Sequence, residues 1–180
     1  KLIIQKRCLP EKALSDLFYC DSFYNFTNTL IPNKFPPNAI DHPRLIIPFR
    51  DIDGEVFVYQ GRAFGQEQPK YITIKLDPER DKIFGLDKVH IDDPINIVEG
   101  PLDSLFLDNC IAVGGSSLSN PLIIDDHSIE NNHITIIFDN EPRNREICKA
   151  IEKNIDIGRN VVLWPQSVKE KDINDMILSG

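Results

Sequence analysis

Four short apolar runs after residue 92 constrain this chain more than any other feature. They are INIVE (95–99), CIAVGG (110–115), HITIIFD (133–139) and NVVLWP (160–165). A strand with one wet face alternates apolar and polar residues. Continuous Val and Ile fit strands buried on both faces. Between the runs, PLDSLFLDN (101–109) and PRNREICKAIEKN (142–154) read as helices with Pro in the first turn. Such strand–helix–strand alternation requires right-handed crossovers and a parallel sheet covered on both sides. The spacing predicts an α/β unit over residues 92–180, with about four parallel strands and flanking helices.

The first half has another rhythm. RLIIPFR (44–50), Asp53-Gly54 and EVFVYQGRAF (55–64) make a hairpin pattern, since Asp-Gly suits a turn that needs positive φ. KYITIKL (70–76) is a third strand, and LPEKALSDLFYC (9–20) has helical spacing behind Pro10. Pro32, Pro36, Pro37 and Pro43 make 31–43 an irregular connector. Residues 1–91 are therefore expected as a small α+β subdomain, mostly antiparallel.

The 180 residues suffice for one ordinary domain or two small ones. No run nears the ~20 apolar residues of a membrane span, and charges throughout residues 1–15 argue against a signal peptide. Cys8, Cys20, Cys110 and Cys148 form no CxxC pair and read as free thiols of a reducing compartment. The chain opens on Lys1 and reads as a fragment of a longer protein. His42, His90, His127 and His133 show no ligand spacing, and Trp164 and Cys148 read as core residues.

The formal charge of −8 argues against a nucleic-acid partner. Its distribution argues otherwise. Residues 1–90 hold thirteen basic and twelve acidic side chains, and residues 91–180 hold seven and sixteen. In parallel sheets ligands bind at the carboxyl ends of strands. Those ends carry Glu99-Gly100 with Asp103 beyond, then Gly114-Gly115, then Asp139-Asn140-Glu141, with Asp172 and Asp175 after the fourth run. Acids at helix N-termini also complement the macrodipole, and Gly100 and Gly115 serve equally as turn residues or as close approaches to a phosphate. Glu99, Asp139 and Glu141 on adjacent strand ends would repel and raise one another's pKa. Mg²⁺, which takes one or two carboxylates plus substrate phosphates, relieves that conflict.

IVEGPLDSLFL, AVGGSS and IIFDNEPRNRE together resemble the TOPRIM domain of DnaG-type primases, type IA and II topoisomerases and some nucleases. KDINDMILSG is similar to the primase KDPDE…G segment. RLIIPFRDIDGEVFVYQGRAFGQEQPKY (44–71), with IFGL (83–86), is similar to the basic subdomain that precedes TOPRIM in DnaG-type primases, and the resemblance covers about 40–180.

The resemblance implies a primase catalytic core making short RNA primers from NTPs on single-stranded DNA. It implies Mg²⁺ or Mn²⁺ on Glu99, Asp139, Glu141, Asp172 and Asp175, catalysis by the first three, and Asp103 orienting the Glu99 turn. Arg44, Arg50, Arg62 and Lys70, with Gly100 and Gly115, would face template or nucleotide phosphates. A replicative helicase would engage regions outside this chain, in the cytoplasm of a bacterium or of a phage host, with no membrane contact. The sequence departs from the family at Glu141, Arg143-Asn144, Asn174 and Asp175, where Asp, Ala-Gly, Asp and Glu are usual. A TOPRIM nuclease and a non-catalytic nucleic-acid or nucleotide-binding module are the alternative readings. DNA affinity is expected to be weak without divalent metal.

Overall fold

The computed structural model describes residues 5–113, 118 and 121–180. In the first half, β1 (Phe18–Cys20), β2 (Arg44–Arg50), β3 (Val56–Ala63) and β4 (Tyr71–Lys75) form one sheet in that order, with every pair antiparallel. The hairpin turns at Asp53-Gly54, where Gly54 has φ 84° and its amide donates to the Asp51 carbonyl. Ile46, Tyr59 and Ile74 bury against α1 (Phe23–Leu30) through Phe23. A Cβ on Gly61 would lie 2.3 Å from the Phe23 ring, so only glycine lets helix and sheet approach this closely.

The helix expected over 9–20 does not form. Glu11–Ser15 make a short 3-10 helix, and Phe18–Cys20 pair with β2, Phe18 opposite Ile46. Aromatic residues favour extended pairing where a sheet edge is open. The helix comes one segment later, at α1. Ser22 gives it no side-chain cap; instead Asp41, in the Pro-rich connector, accepts from the amides of Tyr24 (2.9 Å) and Asn25 (3.0 Å).

In the second half, β5 (Ile83–Phe84), β6 (Ile95–Val98) and β7 (Cys110–Val113) precede a small hairpin of β8 (Leu122–Ile124) and β9 (His127–Ile129). β10 (Ile134–Ile137) and β11 (Asn160–Val161) complete a five-stranded sheet in the order β11-β10-β6-β7-β5. Four strands are parallel, as the apolar runs predict. The fifth, β5, is antiparallel and pairs with β7. The predicted helix over 101–109 is a single turn, α2 (Pro101–Ser104). It ends at Leu105, and farther on Asn109, at φ 42°, donates from its side-chain amide to the carbonyls of His90 (3.0 Å) and Pro94 (2.9 Å) where the chain turns into β7. α3 (Arg145–Asp156) starts after Asn144, whose side chain accepts from the Glu146 amide, so Pro142 stands before the helix. α4 (Ile173–Ser179) is capped by Asp172.

From β6 the chain passes to β7 on one side and later to β10 on the other, so strand order reverses at β6. The carboxyl ends of β6 and β10 therefore flank a switch point, where open sheets leave a crevice. Leu45, Ile47 and Phe49 of the antiparallel sheet share one core with Phe84, Val98 and Ala112 of the five-stranded sheet and Leu102 of α2. The opposite face of the parallel sheet packs Ile97, Ile111 and Ile136 against Leu122, Ile124 and Ile129.

Candidate functional site

β6 and β10 run in register from Ile95 opposite Ile134 to Val98 opposite Ile137. Glu99 therefore leaves the sheet beside Phe138, with Asp139 one residue beyond. Glu99 is exposed, whereas the Asp139 side chain retains 24% exposure. Burial pushes the Asp139 carboxyl up to about 6, the Glu99 carboxylate adds to the rise, and Lys171 opposes it. Asp103 and Asp172 add smaller repulsions, so four acids act on one crevice.

Lys171 answers that charge. Its ammonium lies 2.7 Å from Glu141 Oε1 and 3.5 Å from Asp139 Oδ2. Glu141 also accepts from Asn144 Nδ2 at 2.8 Å, and Lys171 first and Asn144 second hold its carboxyl below the usual range. Asn140, between the two acids, joins this loop to the C-terminal segment. Its amide donates to the Lys171 carbonyl (2.6 Å), and its side-chain Nδ2 donates to the carbonyls of Val168 (3.1 Å) and Glu170 (3.0 Å). Trp164, half-buried, donates from Nε1 to the Phe138 carbonyl at 2.8 Å.

Asp172 accepts from the Asp175 amide (2.8 Å) as the cap of α4, and Asp175 itself is exposed on the first turn. Asp103 accepts from the Asn174 amide at 3.0 Å, and burial is the main cause that raises its carboxyl to about 6. Asn174 is 1% exposed; Arg7 Nη1 donates to its Oδ1, and its Nδ2 donates to the Arg7 carbonyl (2.7 Å). The amide at this position thus ties α4 to the N-terminal segment. At Gly100 the neighbouring space is taken, since a Cβ would sit 2.6 Å from Asp103 Oδ2. Gly100 makes room for the Asp103 carboxylate. Gly115 lies outside the described residues.

The basic residues divide. Arg44 is 1% exposed, and its Nη1 donates to the carbonyls of Gly61 (3.0 Å) and Pro69 (2.9 Å) beside the Phe23 ring. Arg62 is 7% exposed and donates to Tyr71 Oη and the Ala63 carbonyl. The expectation that both line a phosphate-facing surface is corrected: they are buried against backbone and rings, where β3 and its neighbours leave carbonyls to satisfy. Arg50 is half-buried and donates to the Gly54 carbonyl (2.8 Å), and Lys70 is exposed above the Tyr71 ring. Of the rings interleaved with these basic residues along the chain, Phe49 and Tyr59 are core, while Phe64 and Tyr71 are exposed. Tyr19, not singled out from the sequence, is exposed with its ring 5.7 Å from that of Phe64.

Among the described residues, no three His, Cys, Asp or Glu side chains converge closely enough to hold a metal ion by themselves. Carboxylate oxygens are the donors that Mg²⁺ takes, one or two of them with water and phosphate oxygens completing its shell. The half-buried Asp139, raised by neighbouring acids, is the kind of group that a cation stabilises in its charged form. No helix among the described residues is long and apolar enough to cross a membrane.

No family model matches the chain. The DNA primase of Enterobacteria phage T4 is 35% identical over 176 residues, covering 97% of this chain and 49% of that protein. The DNA primase of Thermotoga maritima is 27% identical over 143 residues, covering 72% of this chain and 25% of that one. The chain thus spans about half or less of the length of these relatives. The zinc-binding and RNA polymerase domains of Aquifex aeolicus primase superpose with a TM-score of 0.67 at 21% identity, covering 99% of this chain and 52% of that structure. The DnaG primase catalytic domain bound to single-stranded DNA superposes with a TM-score of 0.67 at 16% identity, covering 99% and 68%. By sequence the chain is a homologue of DNA primases over nearly its whole length, and its fold is that of the primase catalytic-core structures.

Proposed function

We propose that this chain is the catalytic core of a primase that makes short RNA primers from NTPs on single-stranded DNA. The observation that carries the reading is the crevice at the β6/β10 switch point, where Glu99 and Asp139 leave adjacent parallel strands and Asp139 is raised to about 6. Residues 92–180 are assigned to a catalytic TOPRIM domain and residues 1–91 to a basic accessory subdomain, whose strand β5 pairs with β7 of the catalytic sheet.

In the proposed reaction the 3′-hydroxyl oxygen of one nucleotide forms a bond to the α-phosphorus of the next. The bond from that phosphorus to the bridging oxygen breaks, and pyrophosphate leaves. A bound Mg²⁺ or Mn²⁺ supplies charge neutralisation at the reacting phosphate. Asp139 and Glu141 are the residues to hold it, with Asp172, the cap of α4, and Asp175, exposed on its first turn, as further carboxylates. Glu99, exposed at the strand end, is positioned to accept the hydroxyl proton or to orient the ligands. Lys70, with the exposed rings of Tyr71, Phe64 and Tyr19, offers one charge and several stacking faces to a single strand, which suits template binding. The fold's likeness to a primase domain bound to single-stranded DNA supports that assignment. A replicative helicase is the proposed partner of regions outside this chain, within a bacterial or phage-infected cell.

Incubation with single-stranded template, NTPs and Mg²⁺ or Mn²⁺ tests the reading. Short labelled RNA is expected, and Glu99→Ala and Asp139→Ala should each lower its yield by at least about a hundredfold. Synthesis that survives both substitutions removes the assigned site. Degradation of the template without synthesis makes the chain a nuclease, and binding without either makes it a non-catalytic module.

A further inference from the structure

Among the described residues, Lys171 is the one basic side chain within 4 Å of Asp139 or Glu141, and it reaches both. Its place is built into the fold. The Lys171 carbonyl accepts from the Asn140 amide, and the carbonyls of Val168 and Glu170 accept from Asn140 Nδ2. The residue between the two acids thus fixes the backbone from which the lysine reaches back to them. A second fixed point follows directly, because Asp172 caps α4.

We propose that Lys171 is the resident counter-cation of this carboxylate pair, which a divalent ion must displace, so that Lys171 sets the affinity of the site for metal. This rests on the reading that Asp139 and Glu141 hold Mg²⁺ or Mn²⁺. An ammonium brings one positive charge to oxygens that a divalent ion would also use. With it in place, the charge of the two acids is partly offset. The side chain keeps 55% exposure, so its flexible four-carbon stem can carry the ammonium into water once a doubly charged ion arrives. Exchange of that kind costs the metal the free energy of the ion pair. For so exposed a pair that cost amounts to about a two- to fivefold weaker dissociation constant.

The test is a Mn²⁺ titration of the full chain without substrate, reading free Mn²⁺ by electron paramagnetic resonance. Lys171→Met should bind Mn²⁺ about two- to fivefold more tightly than the parent. Lys171→Arg keeps the charge and should stay within about twofold of the parent. Asp139→Asn should lose at least about tenfold. Lys171→Gln carries the same expectation as Lys171→Met and replaces it if that variant does not fold. Equal or weaker binding by the neutral variants, with the Asp139→Asn loss intact, overturns the role of Lys171 and leaves the metal site standing. Unchanged binding in Asp139→Asn, or no binding by the parent, overturns the metal reading and this inference with it.

Discussion

Arg44 shows how a charge that suits a phosphate surface can serve the interior instead. Its guanidinium satisfies carbonyls that β3 and the Pro69 loop leave open, and Phe23 covers it. Arg44→Met keeps most of the stem but leaves those carbonyls unpaired, so it should lower unfolding free energy by about 1–3 kcal/mol in urea. Lys70, exposed, should behave oppositely: Lys70→Ala leaves the urea midpoint in place and weakens single-strand binding, with a shallower salt dependence. Equal stability losses would make Lys70 structural as well. Asp139 carries a pH signature of its own. Its folded pKa of about 6 lies above the unfolded 3.8, so the stability it contributes is present below pH 4 and lost as pH rises through 6. Asp139→Asn, always neutral, should match the parent near pH 4 in chelator and become the more stable of the two by pH 7, read by thermal denaturation. A stability difference that stays flat across this range would mean that Asp139 ionises normally. None of this was legible in residue type alone, because exposure decides what an arginine or an aspartate does.

The elements that could be read from sequence are those whose signal is local. The hairpin at 44–64 and the runs before Glu99 and Asp139 carry their own apolar pattern and turn residues, and the strands fall there. α1 escaped because its N-terminal amides are satisfied by Asp41, across the connector, and β5 because two residues hold no period. The crevice acids were legible through the rule that ligands collect at strand carboxyl ends. Asn140 and Lys171 were not, since their partners come from residues distant in sequence. Asn140 is the joint between the β10 loop and the segment entering α4, with hydrogen bonds to three successive or near-successive carbonyls. Asn140→Ala removes the two side-chain bonds and should destabilise the chain by about 1–3 kcal/mol. It should also raise amide hydrogen exchange over 168–176 more than over 44–63. Uniform acceleration across both regions would instead mean that Asn140 contributes only to global stability.

At the scale of the whole molecule, the two sheets share one apolar core in place of a wet interface. Phe49 of β2 and Phe84 of β5 meet edge to face, with centroids 5.5 Å apart, and Phe84 belongs to a strand that the first half lends to the parallel sheet. Leu45 and Ile47 lie in the same cluster as Val98, Leu102 and Ala112. Val98 directly precedes Glu99, so packing from the antiparallel side supports the strand that carries the crevice acid. Two halves joined this way should unfold as one. Trp164, the single tryptophan, reports on the parallel half from its bond to the Phe138 carbonyl. Phe49→Ala, made in the other half, should cost about 3–5 kcal/mol. Because the core is common, the Trp164 fluorescence transition should shift by that amount and coincide with the loss of far-ultraviolet circular dichroism. If the halves were independent, Phe49→Ala would split the two probes and leave the Trp164 transition where it was. The crevice would then owe nothing to the antiparallel sheet.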